Sequence, residues 1–238
     1  GRLPSFEELE NPKSNLATEI LSSDGKVLGT FFVQNRSYVQ YDELFPLDSA
    51  QLLRLDGYDV PPIIAALVST EDVRYRGHSG IDLMSLVRVG VKTVLMQNTS
   101  QGGGSTITQQ LAKNQYFTQE KQLNRKFAEV FTAFDFESKY SKEEIFELYV
   151  NTIYFGEGYY GIYDAAQGYF GKEPSELTDA ESAMLAGLPN APSAYAPNAN
   201  PELTYQRTRQ VLNRMVECGV ITQQKADELL EQQAEDVL

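Results

Sequence analysis

Three groups of residues in this chain could carry chemistry. Glu71-Asp72 places two adjacent carboxylates at the end of an apolar stretch, Ile63 to Ser69, that reads as a helix. The C-terminal end of a helix dipole is negative, so an acidic pair there needs a cation or a function to offset its cost. Arg74 and Arg76 are the nearest cations. A Glu poised in a cleft is a natural general base, although an arbitrary Glu-Asp pair is more commonly a solvated loop. The second group is the run Gly103-Gly104-Ser105-Thr106-Ile107-Thr108-Gln109-Gln110-Leu111-Ala112-Lys113-Asn114. Its glycines free the backbone, and Thr106 with Gln109 has the spacing of a capping box. The free N–H groups of that helix start favour an anion, and Lys113 follows two turns later. No Gly-Lys-Ser/Thr closes the run, which excludes the nucleotide P-loop. From this segment alone, a mobile loop before an ordinary amphipathic helix is the simpler reading. The third group is Arg125, Lys126 and Glu129. A helix from about Lys121 to Glu137 puts Phe127, Val130, Phe131 and Phe134 on one stripe, with Arg125 and Glu129 on the opposite face. The pair is either an exposed ion pair or a second acid among cations facing a cleft, and spacing does not decide between them.

The elements that must position these groups are mainly helical. Residues 18–34 read as a β-hairpin with Ser23-Asp24-Gly25-Lys26 at its turn. Pro62 fits a helix start. Ser141 with Glu144, and Thr178 with Glu181, form capping boxes before apolar runs. Pro189, Pro192, Pro197 and Pro201 mark an irregular stretch, and two more helical regions follow, 201–218 and 222–238. The expected fold is mainly α, with one small β element near the N-terminus.

Composition narrows the chemistry. With 238 residues, 42% apolar, a sizeable core is available. One cysteine, Cys218, excludes an intrachain disulfide, and with His78 as the lone histidine it argues against a protein-built zinc site, while a metal held mainly by carboxylates and a substrate's phosphates stays open. A lone His is more often structural than catalytic. The net charge of −13 argues against nucleic-acid binding. From Glu71 to Lys126, however, eight basic residues face four acidic ones, so this stretch carries +4 and the remainder −17. That pattern suits an anionic ligand handled locally, or a chance run of surface charge. The longest apolar stretch, 82–97, contains Arg88 and Lys92 and is too short to span a bilayer. It reads as a buried helix or as a surface that dips into a membrane interface. The chain starts at Gly1 without a signal peptide and reads as an excised fragment.

Taken together, the blocks resemble a known family. Glu71-Asp72-Val73-Arg74-Tyr75-Arg76-Gly77-His78-Ser79-Gly80-Ile81-Asp82 is similar to the first signature of the peptidoglycan glycosyltransferases, glycosyltransferase family 51 of class A penicillin-binding proteins. The block 103–114 resembles their second motif, Arg125-Lys126-Phe127-Ala128-Glu129 their third, Lys142 to Gly156 their fourth and Ala186 to Ser193 their fifth. Tyr75 stands where Phe is usual, and the stretch Leu47 to Val60 is longer than usual.

The resemblance implies a lysozyme-like helical fold with a short N-terminal β-hairpin and a small membrane-associated jaw. Residues 1–238 would form one domain, with 18–60 as hairpin and lead-in and 82–104 as jaw and flexible loop. It implies inverting polymerisation of lipid II, the donor being a glycan strand on a lipid pyrophosphate. Glu71 would be the base. Lys113, Arg125 and Lys126 would meet the pyrophosphate. Glu129 would position them or hold a Mg²⁺ or Mn²⁺ ion against the pyrophosphate. Asp72, Ser105, Thr106, Gln109 and Asn114 would line the substrate cleft, with Tyr149 and Asn151 in support. The implied partners are lipid II, the lipid-linked strand, a membrane surface met through 82–97 and phosphoglycolipid inhibitors of the moenomycin type. The implied location is the extracytoplasmic face of the bacterial inner membrane. Two other readings stand beside it: a lysozyme-like glycan-cleaving enzyme, and an inactive lipid-binding scaffold.

Overall fold

The computed structural model describes residues 17–21, 27–32, 38–87, 104–116 and 122–237. Two antiparallel hairpins precede a helical body. In the first, β1 (Ala17–Leu21) pairs with β2 (Val27–Phe32), Thr18 opposite Phe31 and Glu19 opposite Thr30. This is the expected hairpin, and its Ser23–Lys26 turn lies outside the described residues. The second hairpin falls in what the sequence reading treated as lead-in. There β3 (Leu53–Leu55) pairs with β4 (Tyr58–Val60). Asp56-Gly57 joins them with φ of 49° and 82°. A two-residue turn with both central residues left-handed matches the twist of the flanking strands, and Asp-Gly suits it.

The helices follow in chain order as α1 (Pro62–Glu71), α2 (Ile107–Tyr116), α3 (Gln122–Lys139), α4 (Lys142–Thr152), α5 (Ile162–Phe170), α6 (Asp179–Gly187), α7 (Pro192–Tyr195), α8 (Pro201–Glu217) and α9 (Gln223–Val237). α1 begins with Pro62 in its first turn and is buried from Pro62 to Ser69. It has no polar face because α6 and α8 both pack against it. α2 packs against both α3 and α4. Ile63, Leu67, Ile107, Leu111, Ile145, Phe146, Leu148 and Tyr149 form the fully buried centre between these helices. All three anticipated capping boxes close. Glu144 N–H donates to Ser141 Oγ at 3.2 Å, and Glu181 N–H to Thr178 Oγ1 at 3.2 Å. Gln109 N–H donates to Thr106 Oγ1 at 3.1 Å, while Thr106 N–H donates to Gln109 Oε1 at 2.9 Å.

α3 reverses the expected orientation. Its buried positions are Glu129, Ala133 and Phe136, whereas Phe131 and Phe134 are 68% and 44% exposed. Polar partners on α2 and α4 explain the reversal. Thr108 Oγ1 donates to Glu137 Oε1 at 2.6 Å, and Lys142 Nζ donates to the same oxygen at 2.7 Å. Those bonds turn the acidic side of α3 inward and leave its aromatic side to solvent. Leu83, Met84, Leu86 and Val87, on the helical turn 83–87, are exposed as well, so this part of the apolar stretch is not a buried helix. Residues 88–103 lie outside the described ones. Among the described residues, no helix is long and apolar enough to cross a membrane.

Candidate active site

Asp72 ties the first block to the second. Its Oδ2 accepts from the Ile107 backbone N–H at 3.0 Å and lies 2.8 Å from His78 Nε2. Gly80 N–H donates to His78 Nδ1 at 3.1 Å, so the ring proton sits on Nε2 and points at Asp72. His78 is therefore a structural group. Asp72 also supplies the negative charge that the α2 N-terminus favours. Gly80 has φ +97°, and a Cβ there would meet the Ala133 carbonyl oxygen at 3.1 Å, so only glycine lets this loop lie against α3.

The cations expected to offset the acidic pair are engaged elsewhere. Arg76 Nη1 pairs with Glu143 Oε1 at 2.7 Å and lies 4.3 Å over the Tyr58 ring. Arg74 grips Asp82 in a fork, with Nε donating to Oδ2 at 3.1 Å and Nη2 to Oδ1. Asp82 also accepts from the Met84 and Ser85 backbone N–H groups and from Ser85 Oγ, and so caps the turn 83–87. Burial would raise its pKa, but the Ser85 and Arg74 bonds outweigh that and hold it at about 2, below the ordinary 3.8. A depressed carboxyl stabilises the fold above its unfolded pKa and ceases to do so as pH falls through the folded value. Asp82→Asn is therefore expected to lower unfolding stability by ~2 kcal/mol at neutral pH. Urea unfolding at a series of pH values measures this. The gap between wild type and variant should close as pH falls from about 4 toward about 2.

Glu71 is the last residue of α1, half-buried and surrounded by protein. Its Oε2 accepts from Gln110 Nε2 at 3.0 Å. Burial raises its pKa above the ordinary 4.5; the Gln110 bond and the Arg207 charge pull it down, and Asp72 pushes it up. A carboxylate so placed is a stronger proton acceptor than one in water. Behind Gln110, the fully buried Tyr149 aims its hydroxyl at Gln110 Oε1, 3.4 Å away. Burial drives the Tyr149 phenol well above its usual range, and the charges of Glu71 and Asp72 add to this. Lys113 and Asn114 lie three and four residues after Gln110, on the same face of α2, and both are exposed.

A second cluster sits where α2 begins. Lys126 Nζ donates to Ser105 Oγ at 3.0 Å and to Glu129 Oε2 at 2.8 Å. The Glu129 side chain is 3% exposed and that of Lys126 55%, so a buried acid anchors a cation at the surface. The Arg125 side chain lies outside the described ones. Among the described residues no three His, Cys, Asp or Glu side chains converge as a metal site. Glu129, already engaged by an ammonium, does not suit a divalent cation.

Asp72, Thr106, Gln109, Tyr149 and Asn151, all anticipated against substrate or in its support, are buried or bonded within the fold. Thr106 and Gln109 are buried and cap α2 through each other, with Thr106 Oγ1 also donating to Gly80 O at 2.6 Å. Asn151 Nδ2 donates to Val39 O and Glu147 O, both at 2.8 Å, while its Oδ1 accepts from Val39 N–H at 2.9 Å. With Glu147, which accepts from Tyr41 N–H at 2.8 Å, Asn151 pins residues 38–41 to α4. Sequence reasoning passed over Gln110, although it lies inside the quoted block, one turn before Lys113 on the same face. It also passed over Arg207, which no spacing links to Glu71.

Known proteins resemble this chain over most of its length. The family described as Transglycosylase matches residues 24–216. Penicillin-binding protein 1A of Neisseria flavescens is 42% identical over 233 residues, which is 98% of this chain and 27% of that protein. Its counterpart in Pseudomonas aeruginosa is 39% identical, over 97% of this chain and 26% of that protein. The crystal structure of penicillin-binding protein 1A from Haemophilus influenzae matches 89% of this chain and 20% of its own, at 24% identity and a TM-score of 0.41. The chain thus spans roughly a quarter of the length of the curated relatives it matches. On the family match over most of its length, this chain belongs to the transglycosylase family, the glycosyltransferases of peptidoglycan synthesis.

Proposed function

We propose that residues 1–238 act as one domain that polymerises lipid II into glycan strands by inverting transfer, at the extracytoplasmic face of the bacterial inner membrane. The donor is a growing strand on a lipid pyrophosphate, and the acceptor is lipid II. Glu71 takes the proton of the acceptor sugar 4-hydroxyl while that oxygen bonds to the donor anomeric carbon. The bond from that carbon to the pyrophosphate oxygen breaks, and its electron pair leaves on the pyrophosphate. An anionic leaving group needs positive charge more than a proton. Lys113, Lys126 and Arg125 supply that charge, with Ser105 and Asn114 beside them and Glu129 anchoring Lys126. Asp72, Thr106 and Gln109 hold the backbone on which these groups stand, and Asn151 holds residues 38–41 against α4.

One observation carries the reading. Glu71, its pKa raised by burial, is bonded to the same helix that presents Lys113 one turn on and the Ser105–Lys126 pair at its start. The exposed Leu83, Met84, Leu86, Val87, Phe131 and Phe134 support contact with a membrane surface through 82–97. Phosphoglycolipid inhibitors of the moenomycin type join a phosphate to a lipid tail and suit the same donor side. A glycan-cleaving enzyme needs an acid for its leaving oxygen and has no use for clustered cations.

The purified chain, given lipid II in detergent or vesicles, is expected to build glycan strands and to leave preformed wall undigested. Soluble fragments released from wall, without polymerisation, would overturn the reading. Lys113→Ala is expected to weaken binding of a phosphoglycolipid inhibitor by about tenfold or more, since a hydrogen bond to a charged group is lost. Unchanged affinity by fluorescence anisotropy would remove Lys113 from the phosphate contact.

A further inference from the structure

Glu71 does not meet its surroundings directly; it meets them through one amide. Gln110 Nε2 donates to Glu71 Oε2 at 3.0 Å, and Gln110 Oε1 faces the Tyr149 hydroxyl at 3.4 Å. A side-chain amide can rotate by half a turn and exchange its donor and acceptor ends. The two orientations suit different protonation states of Glu71. With Nε2 toward it, the amide donates to a carboxylate. With Oε1 toward it, the amide repels a carboxylate and accepts from a carboxylic acid. Tyr149 breaks that symmetry. Its hydroxyl faces Oε1 across a long 3.4 Å contact, which favours Oε1 at the Tyr149 end and Nε2 at the Glu71 end. The phenol is fully buried and held above its usual pKa, so it remains a donor across the working pH range.

We propose that Tyr149, acting through Gln110, is a positioning residue that keeps Glu71 ionised and leaves its Oε1 open for the acceptor hydroxyl. The inference rests on the base role proposed for Glu71, and it adds what that role lacks. Burial alone favours the protonated form of Glu71, which cannot accept a proton. The relay restores the carboxylate without placing a cation next to it, where an ion pair would blunt its basicity. Other charged and titratable groups act on Glu71 from each neighbouring element: Asp72 beside it, Arg207 on α8 and Tyr149 on α4. Lys113 stands on the same face of α2 as Gln110. None of the cations and acids among them distinguishes the two ends of the amide by hydrogen bonding to it; the Tyr149 hydroxyl does.

The test titrates Glu71 directly. Carboxyl ¹³C NMR, with Glu71→Gln to assign the signal, gives its midpoint in wild type, Tyr149→Phe and Gln110→Leu. Tyr149→Phe is expected to move the midpoint up by roughly half a unit to one unit, the worth of one neutral hydrogen bond, and Gln110→Leu by at least as much. The acid limb of the polymerisation rate is expected to move with it. A merely structural role for Tyr149 lowers the rate at every pH and leaves the midpoint in place. A Glu71 midpoint that coincides in wild type and Tyr149→Phe overturns the relay. A shifted midpoint with an unchanged rate profile upholds the relay and removes Glu71 from the base role.

Discussion

Glu71→Gln is expected to abolish polymerisation, with kcat falling by about 10³-fold or more, while lipid II still binds. The substitution keeps the size and the hydrogen-bonding reach of the side chain, so Gln110 retains a partner, but an amide cannot take up the acceptor proton. The same change is expected to stabilise the protein. Burial raises the Glu71 pKa, so folding favours the protonated form. The stability this group contributes is complete below its unfolded pKa and is lost as pH rises through the folded one. Wild type is consequently penalised at neutral pH, and the variant is not. Thermal melts should show the variant above wild type at pH 7, with the difference vanishing as pH drops below the ordinary carboxylate value of 4.5. An inactive and stabler variant is the mark of a carboxylate kept for chemistry. Near-normal turnover would sink the base assignment, and a variant less stable at neutral pH would show that Glu71 serves the fold.

Glu137→Leu is expected to be among the most damaging single changes to stability. Glu137 and Lys142 have side chains 8% and 16% exposed and meet at 2.7 Å. Lys142 also donates to His78 O at 2.7 Å and lies 4.6 Å over the Tyr75 ring, while Thr108 donates to Glu137. Four segments converge on this pair: α2, α3, α4 and the His78 loop. Removing the acid leaves an ammonium enclosed without its counter-charge, which costs about 3–5 kcal/mol. For a domain of this size, that lowers the melting temperature by on the order of 10 °C. Glu137→Leu with Lys142→Met is expected to recover much of the loss, because an apolar pair has no stranded charge. Calorimetry on the two variants decides it. A single variant that melts within a degree or two of wild type would mean that water reaches the pair.

What could be read in the sequence was local. The capping boxes at Ser141–Glu144, Thr178–Glu181 and Thr106–Gln109 depend on residues three apart, and all closed as expected. Glu71 at the end of α1 and Lys113 on α2 followed from helix period and the order of motifs. Asp56-Gly57 was equally legible, since a two-residue turn with both φ positive is a local signal, yet its strands, Leu53–Leu55 and Tyr58–Val60, are only three residues each, too short for their alternation to stand out. What escaped depends on distance along the chain. Asn151 bonds Val39, 112 residues away, and Asp72 caps a helix 35 residues on. These polar residues carry the same motif signature whether they touch substrate or hold backbone. The orientation of α3 escaped for a related reason. Apolar periodicity says which residues share a face, and it is partners on other helices that choose which face turns inward.

The outward aromatics of α3 have a practical corollary for anyone handling this chain. Phe131, Phe134 and the apolar turn 83–87 give an aqueous buffer nothing it can hydrate well. In plain saline, molecules would meet through these surfaces and form soluble clumps. A mild surfactant above its micelle threshold would cap them, so chromatographic monodispersity would track amphiphile concentration more closely than salt or temperature.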